Sequence, residues 1–235
     1  VATSWNHTVL LRSDGTAVAV GSDAAGQLDI PNPPAGLTYV QIAASNHDSV
    51  LLRSDGTVVV IGANEFGQAN VPVLAPGVTY TAVAAGFHHV VLLRSDGTVV
   101  ALGDDTFGQT EVPELTGGKT YTAVYAGDYQ TLLLVSDGTA VAFGDNSHGQ
   151  LDIPDLPDGL TYTAAALGYW HTALLRSDGS AVAFGWNNTG QTDIPTLPTG
   201  LRYAKITAGD SHTVLTVSDG SVIALGWDGW GQTDI

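Results

Sequence analysis

The dipeptide Gly-Gln ends at Gln27, Gln68, Gln109, Gln150, Gln191 and Gln232, each 41 residues after the last. Ser-Asp-Gly keeps the same register, with Asp14, Asp55, Asp96, Asp137, Asp178 and Asp219. A repeat of this length constrains the fold strongly, because each unit is a supersecondary element whose apolar faces are covered only by its neighbours. The 235 residues therefore read as one domain of six units: 1–30 (partial), 31–71, 72–112, 113–153, 154–194 and 195–235.

A full unit, "PDLPDGLTYTAAALGYWHTALLRSDGSAVAFGWNNTGQTDI", contains four strand candidates separated by turn signals. These are "LTYTAAA", "HTALLRS", "SAVAFG" and a short "QTDIP" stopped by a proline that cannot donate to a ladder. Asp-Gly between the second and third is expected to form a type I′ hairpin, in which both central residues take positive φ. The apolar runs are continuous rather than alternating, as expected of strands covered on both faces. No helical periodicity of any length occurs. A four-stranded unit of this length matches a β-propeller blade. The expected fold is all-β, a β-propeller of six four-stranded antiparallel blades; a β-solenoid is the alternative, though its coils are usually shorter. The chain is eleven residues short of six complete units, so the first blade is incomplete in sequence. The ring is expected either to close at six blades with a partial first strand or to belong to a longer array.

Composition narrows the function classes. Gly is frequent, at 29, and 13% of residues are charged, which suits many turns and few surface helices. No window reaches the roughly 18 apolar residues of a membrane span. The start "VATSWNHTVL" lacks the basic and apolar regions of a signal, so the chain reads as soluble, any signal being removed or never present. Absence of Cys excludes disulfides, thiolate nucleophiles and Cys-ligated metals, and leaves the compartment open, with a secreted or extracellular setting favoured. Seven Lys and Arg against 23 Asp and Glu give a net charge of −16, which repels phosphate backbones and anionic lipid. Neither nucleic acid nor a membrane is an expected partner.

The pattern "AGxxHTxxLxSDGxxxxxGxNxxGQ", recurring six times over the whole chain, resembles the regulator of chromosome condensation repeat. The short period with "GQTDIP" is similar to that of the propeller-type β-lactamase inhibitor proteins. The resemblance implies a propeller, commonly of seven blades, from which six hairpins depart. For chromatin-associated members it would imply nucleosome and small-GTPase contacts through basic or extended loops; this chain has neither, and that function is not carried over. For the inhibitors it implies one face that grips a partner protein with loop aromatics and polar residues.

Comparing the six copies separates framework from variable positions. His7, His89, His171 and His212 share a position that Asp48 and Gln130 fill elsewhere. It reads as a polar anchor for the backbone of a neighbouring blade rather than as a metal ligand or acid-base group. Ser177 and Asp178 belong to a turn present six times, so turn geometry accounts for them and no triad is expected. The invariant Gln is expected to bridge backbone groups. Asp29, Asp152, Asp193 and Asp234, replaced by Asn70 and Glu111, read as solvated strand-end groups. The sequons at Asn6 and Asn187, the acids Asp104, Asp105 and Asp145, and His47 with the His88-His89 pair match no built ligand site and read as surface decoration. No cofactor and no metal is expected.

Two slots vary. The first is the pair before the His position, and the second is the four residues before Gly-Gln. Together they hold all five Trp and ten of the eighteen aromatics: Trp5, Phe87, Tyr129, Tyr169 and Trp170 in the first, Phe66, Phe107, Trp186, Trp227 and Trp230 in the second. Antiparallel parity puts both slots on one rim and the Ser-Asp-Gly turn on the other. The acids Asp23, Glu65, Asp104, Asp105, Asp128, Asp145, Asp210 and Asp228 share the slot rim. Trp170, Trp186, Trp227, Trp230 and Trp5 are expected to form one aromatic patch, the alternative being that the rings cap blade ends. The expected function is non-catalytic binding of a protein through these ten aromatics, with acidic loops selecting a neutral or basic partner and enzyme inhibition as a special case. A glycan-binding propeller is the alternative, because Trp and Tyr stack on sugars.

Overall fold

The computed structural model describes residues 1–235. Six antiparallel sheets follow one another along the chain, each with three strands in sequence order. The first is β1 (Ala2–Thr3), β2 (His7–Leu11) and β3 (Ala17–Gly21); the second is β4 (Tyr39–Ala44), β5 (Asp48–Arg53) and β6 (Val58–Gly62). The third is β7 (Tyr80–Ala85), β8 (His89–Arg94) and β9 (Val99–Gly103); the fourth is β10 (Tyr121–Ala126), β11 (Gln130–Val135) and β12 (Ala140–Gly144). The fifth is β13 (Tyr162–Leu167), β14 (His171–Arg176) and β15 (Ala181–Gly185), and the sixth β16 (Tyr203–Ala208), β17 (His212–Val217) and β18 (Val222–Gly226).

The expected fourth strand does not form. After Gly-Gln the backbone closes into tight turns, as in Asp152 N–H to Gly149 C=O and Ile153 N–H to Leu151 C=O. The donor just before them, Leu151 N–H, goes to the Asn146 side chain at 2.8 Å. Local turns thus consume the groups that a ladder would need.

The hairpin turn also differs from expectation. No non-glycine residue has positive φ; only the turn glycines do, Gly138 at 86° among them. Gly138 N–H bonds Val135 C=O, while Val135 N–H bonds Thr139 C=O. This is a three-residue loop, a type I turn followed by a left-handed glycine, rather than a two-residue I′ turn. Asp137 earns its place as an acceptor, taking Thr139 N–H at 3.0 Å and its hydroxyl at 2.6 Å. A Cβ on Gly138 would collide with the side chain of Thr161 at the start of the next blade, whose Tyr162 N–H bonds the Gly138 carbonyl. The same turn therefore closes one hairpin and aligns the next.

The core is distributed over the seams between blades. Along β8, Val90 and Leu92 pack toward the second blade while Val91 and Leu93 pack toward the fourth with Tyr121, Val124 and Leu133. The apolar runs are continuous because alternate residues serve opposite seams. The tyrosine that opens a blade's first strand donates from its hydroxyl to the proline carbonyl eight residues earlier, as from Tyr80 to Pro72 at 3.1 Å and Tyr162 to Pro154 at 2.9 Å.

Polar pairs lock the inner ends of these seams. His89 Nε2 meets Thr131 Oγ1 of the next blade at 3.0 Å, and that hydroxyl donates to Gln109 C=O at 2.7 Å. The hydroxyl's one hydrogen is spent on the carbonyl, so His89 Nε2 carries its proton and donates. His7 with Ser49 and His171 with Thr213 repeat the arrangement, both at 2.9 Å. Gln130 instead donates to Gly168 C=O at 3.1 Å. The position is a polar anchor, as expected, but at three seams it grips a hydroxyl rather than backbone. In the first and sixth blades the equivalent groups are less covered: His212 and Thr8 are half-buried, and Gln232 is partly exposed where its five equivalents are buried.

Candidate functional site

Each first slot is the two-residue tip joining a blade's first two strands. Gly86 N–H bonds His89 C=O, Gly127 bonds Gln130 and Gly168 bonds His171. The pair between is thereby pushed out to the rim, which leaves its side chains free to vary. A Cβ on Gly86 would strike the His89 ring and the Gly127 carbonyl of the next blade. Close approach at these glycines lets neighbouring tips bond through their backbones, Phe87 N–H to Asp128 C=O and Tyr169 N–H to Asp210 C=O, each at 3.0 Å.

The second slot is less free than the six copies suggest. Its second residue is always Asp or Asn, namely Asp23, Asn64, Asp105, Asn146, Asn187 and Asp228. In each case Oδ1 accepts the backbone N–H five residues on, at 2.8–2.9 Å. The Gln side chain supports the same loop, Oε1 of Gln109 accepting from Phe107 N–H at 2.9 Å. Asp104 and Asp145 accept from the amides of Gln109 and Gln150, both at 3.0 Å. Five of the eight acids on this rim thus hold loops in shape, a role that Asp-or-Asn alternation in the sequence signalled. The strand-end positions join in where the chemistry allows: Asn187 donates to Asp193 Oδ1 at 2.7 Å.

Both slots do share a face, and parity survives the loss of the fourth strand because the second slot follows the third. First-slot residues of all six blades converge on a central cavity of about 1020 Å³, whose wall includes Trp5, Phe87, Asp128, Tyr169, Trp170 and Asp210. Trp186, Trp227 and Trp230 line it from the second slot. Phe66, Phe107 and Tyr129 lie outside this wall; Tyr129 meets its rings Phe87 and Tyr169 directly, while Phe107 reaches them through Tyr129 and Phe66 through His88.

The rings form a crescent rather than one tryptophan patch. Phe66 meets His88 at 5.0 Å between centroids, His88 meets Phe87 at 4.4 Å, and Phe87 meets Tyr129 at 5.5 Å. Tyr129 also touches Phe107 at 5.3 Å and Tyr169 at 5.7 Å. Tyr169 leads to Trp170 at 4.3 Å, and Trp170 to Trp186 at 5.4 Å. Trp227 and Trp230 pair separately at 5.9 Å, and Trp5 contacts neither group of rings. The expected five-tryptophan patch is therefore three clusters facing one cavity. Three histidines extend the crescent: His47 stacks on His88 at 5.6 Å and His148 on Trp170 at 4.8 Å. His88 and the fully buried His89 are accordingly part of the structure rather than surface decoration. Trp230 is 85% exposed and Trp5 65%, values high for rings of their size.

Electrostatics divide the molecule along its axis. Arg53, Arg94 and Arg176 end middle strands beside the Ser-Asp-Gly turns, and Lys119 pairs with Asp137 of that turn at 2.6 Å. Arg12 lies in the first turn, Arg202 packs under Gly179, and Lys205 pairs across from Thr216 near the last turn. All seven cations are thus on the turn side, and the slots contain none. Burial, with Asp210 nearby, pushes the Asp128 carboxyl up to about 7. Burial also raises Asp210, offset in part by the approach of Trp5. Tyr129 is pushed up to about 12 by burial and by Tyr169.

The regulator of chromosome condensation (RCC1) repeat matches three segments, residues 80–109, 121–150 and 162–191. Each runs from the tyrosine that opens a blade to its Gly-Gln. No curated protein matches the chain. Prp20p from Saccharomyces cerevisiae superposes with a TM-score of 0.83 at 20% identity, over 99% of this chain and 72% of that one; its structure is described together with binding to Gsp1p and histones. Human WBSCR16 gives 0.80 at 19% identity over 96% of this chain and 75% of that one. The ectodomain of the Physcomitrella patens receptor kinase CR4 gives 0.77 at 20% identity over 100% and 65%. The chain is thus all-β, with the fold of these propellers and three segments that match the RCC1 repeat.

Proposed function

We propose that this chain is a non-catalytic binding propeller that engages a partner protein through the face bearing the two slots. The observation that carries the reading is the crescent of touching rings around one cavity, built from positions that the repeat leaves free. Fully desolvated aromatic anchors at the centre of a face dominate the energy of protein interfaces. Protein binding by a neighbour of the same fold, Prp20p with Gsp1p, histones and Kap60, is consistent with it. Enzyme inhibition, the role implied by similarity to propeller-type β-lactamase inhibitors, is the special case in which the gripped surface borders an active site.

The test is affinity capture with three immobilised forms: the parent, a variant with Trp170, Trp186 and Trp227 replaced by Ala, and an opposite-rim control, Lys119→Ala. A protein retained by the parent and the control, lost by the triple variant, and binding saturably in calorimetry supports the proposal. Equal retention by all three overturns it, as does a glycan array on which the parent binds sugars while no protein is retained. Far-UV circular dichroism of the triple variant checks that the rings are not core.

A further inference from the structure

Of the eight acids in the slots, Asp23, Asp105 and Asp228 cap backbone, and Asp104 and Asp145 hold glutamine amides. Glu65 is exposed at a loop tip. Asp128 and Asp210 remain; neither caps a backbone amide nor holds a glutamine, and Asp210 is met by the side chains of Trp5 and His212. Both line the central cavity, one from the fourth blade and one from the sixth, on either side of Tyr169. Asp128 Oδ2 is buried and receives no donor from the protein. No lysine or arginine lies on this side of the molecule to neutralise either. Two partly desolvated carboxylates that share one cavity oppose folding unless a proton or a cation joins them.

We infer that this cavity is a cation-recognition subsite, in which Asp128 and Asp210 receive the guanidinium of an arginine projecting from the partner, between the rings of Trp5, Tyr169 and Trp170. The inference rests on the protein-binding reading and deepens it by naming the chemistry at the centre of the contact. Charge complementarity selects the occupant: the slots hold eight acids and no lysine or arginine, His212 is the basic side chain beside Asp210 in the cavity wall, and the net charge is −16. Arginine fits better than lysine because its planar group can stack on an aromatic face while donating to carboxylates on its edges. The like-charge pair is relieved when the cation enters, so the carboxylates are poised for a ligand rather than for the fold.

All five tryptophans line this cavity, so intrinsic fluorescence reports its occupancy directly. The probes are Ac-Gly-Arg-Gly-NH2, its lysine analogue and its citrulline analogue, titrated at low ionic strength. The arginine peptide is expected to quench saturably and to bind at least about tenfold tighter than citrulline, which keeps the shape and removes the charge, with lysine between them. Asp128→Asn combined with Asp210→Asn is expected to lower arginine-peptide affinity at least about tenfold, and Glu65→Gln to leave it unchanged. Equal binding of citrulline overturns the proposal, as does full affinity in the double variant or an equal loss in Glu65→Gln, which would mean general surface charge alone. Circular dichroism of the near-isosteric double variant confirms that it folds. The peptides require no partner, so their failure alongside successful partner capture removes only this subsite, whereas loss of capture by the tryptophan variant concerns the binding face itself.

Discussion

Asp128 illustrates a residue whose environment works against its charge. Its carboxyl is raised from 3.8 to about 7 by burial and by Asp210, so the folded chain holds this proton more tightly than the unfolded chain does. A raised carboxyl contributes stability below the unfolded value and loses it as pH rises through the folded one. Asp128→Asn is therefore expected to be more stable than the parent above pH 7, by about 1 kcal/mol or some 2–4 °C in melting temperature, with the difference vanishing near pH 4. Thermal melts at pH 8 and pH 4 measure it, and a variant less stable at pH 8 would show that the carboxylate supports the fold. His89 has the opposite sign. Burial lowers it to about 4, so the unfolded state binds more protons between pH 6.5 and pH 4, and stability falls on acidification through that window. Gln occupies the same position in the fourth blade, at Gln130, and so fits the site. His89→Gln is expected to flatten this part of the acid limb, as read by urea unfolding at pH 7 and pH 4.5.

At the scale of the loop and strand, the second slot shows how a variable segment keeps a fixed shape. Asn146 accepts Leu151 N–H at 2.8 Å and donates to Asp152 at 2.9 Å, while His148 at the tip presents its ring to Trp170. Asn146→Ala orphans the Leu151 donor and is expected to cost about 1 kcal/mol in denaturant unfolding, with faster hydrogen exchange confined to that loop. An unchanged Leu151 exchange rate would show that other contacts hold the turn. The two free residues at the first-slot tip need no such cap, because the ladder bond from Gly168 to His171 already closes it.

For the whole molecule, stability resides in the seams. The middle strands of blades two to five are buried along nearly their full length, whereas β17 alternates between buried and half-buried residues and its outer face carries His212, Val214 and Thr216. In a stack of repeats, an element with one packed neighbour opens before an element with two. Backbone amides of β17 and β2 are expected to exchange at least about tenfold faster than those of β8 and β11 under native conditions. Equal protection throughout would mean that the sixth and first blades seal against each other in solution. The concentration of cations on the turn side and acids on the slot side also predicts that a basic partner docking on the slot face associates more slowly as salt is added, measurable by stopped-flow at two ionic strengths.

The repeat by itself determined the six units, the places of their first three strands, the framework role of Ser-Asp-Gly and Gly-Gln, and the sharing of one face by both slots. These features follow from local pattern and from the alternation of chain direction, which no distant contact alters. The turn class and the missing fourth strand were decided by where particular N–H and C=O groups find partners, a competition that spacing alone does not show. Asp-or-Asn at the second place of the second slot was visible in all six copies, yet only the geometry revealed its cap. The tertiary structure alone decided which rings touch, and that Asp128 and Asp210 are the cavity acids that cap no backbone amide and hold no glutamine. Those outcomes depend on contacts between residues roughly one or two repeats apart, and such contacts exist only once the blades are set around a common axis.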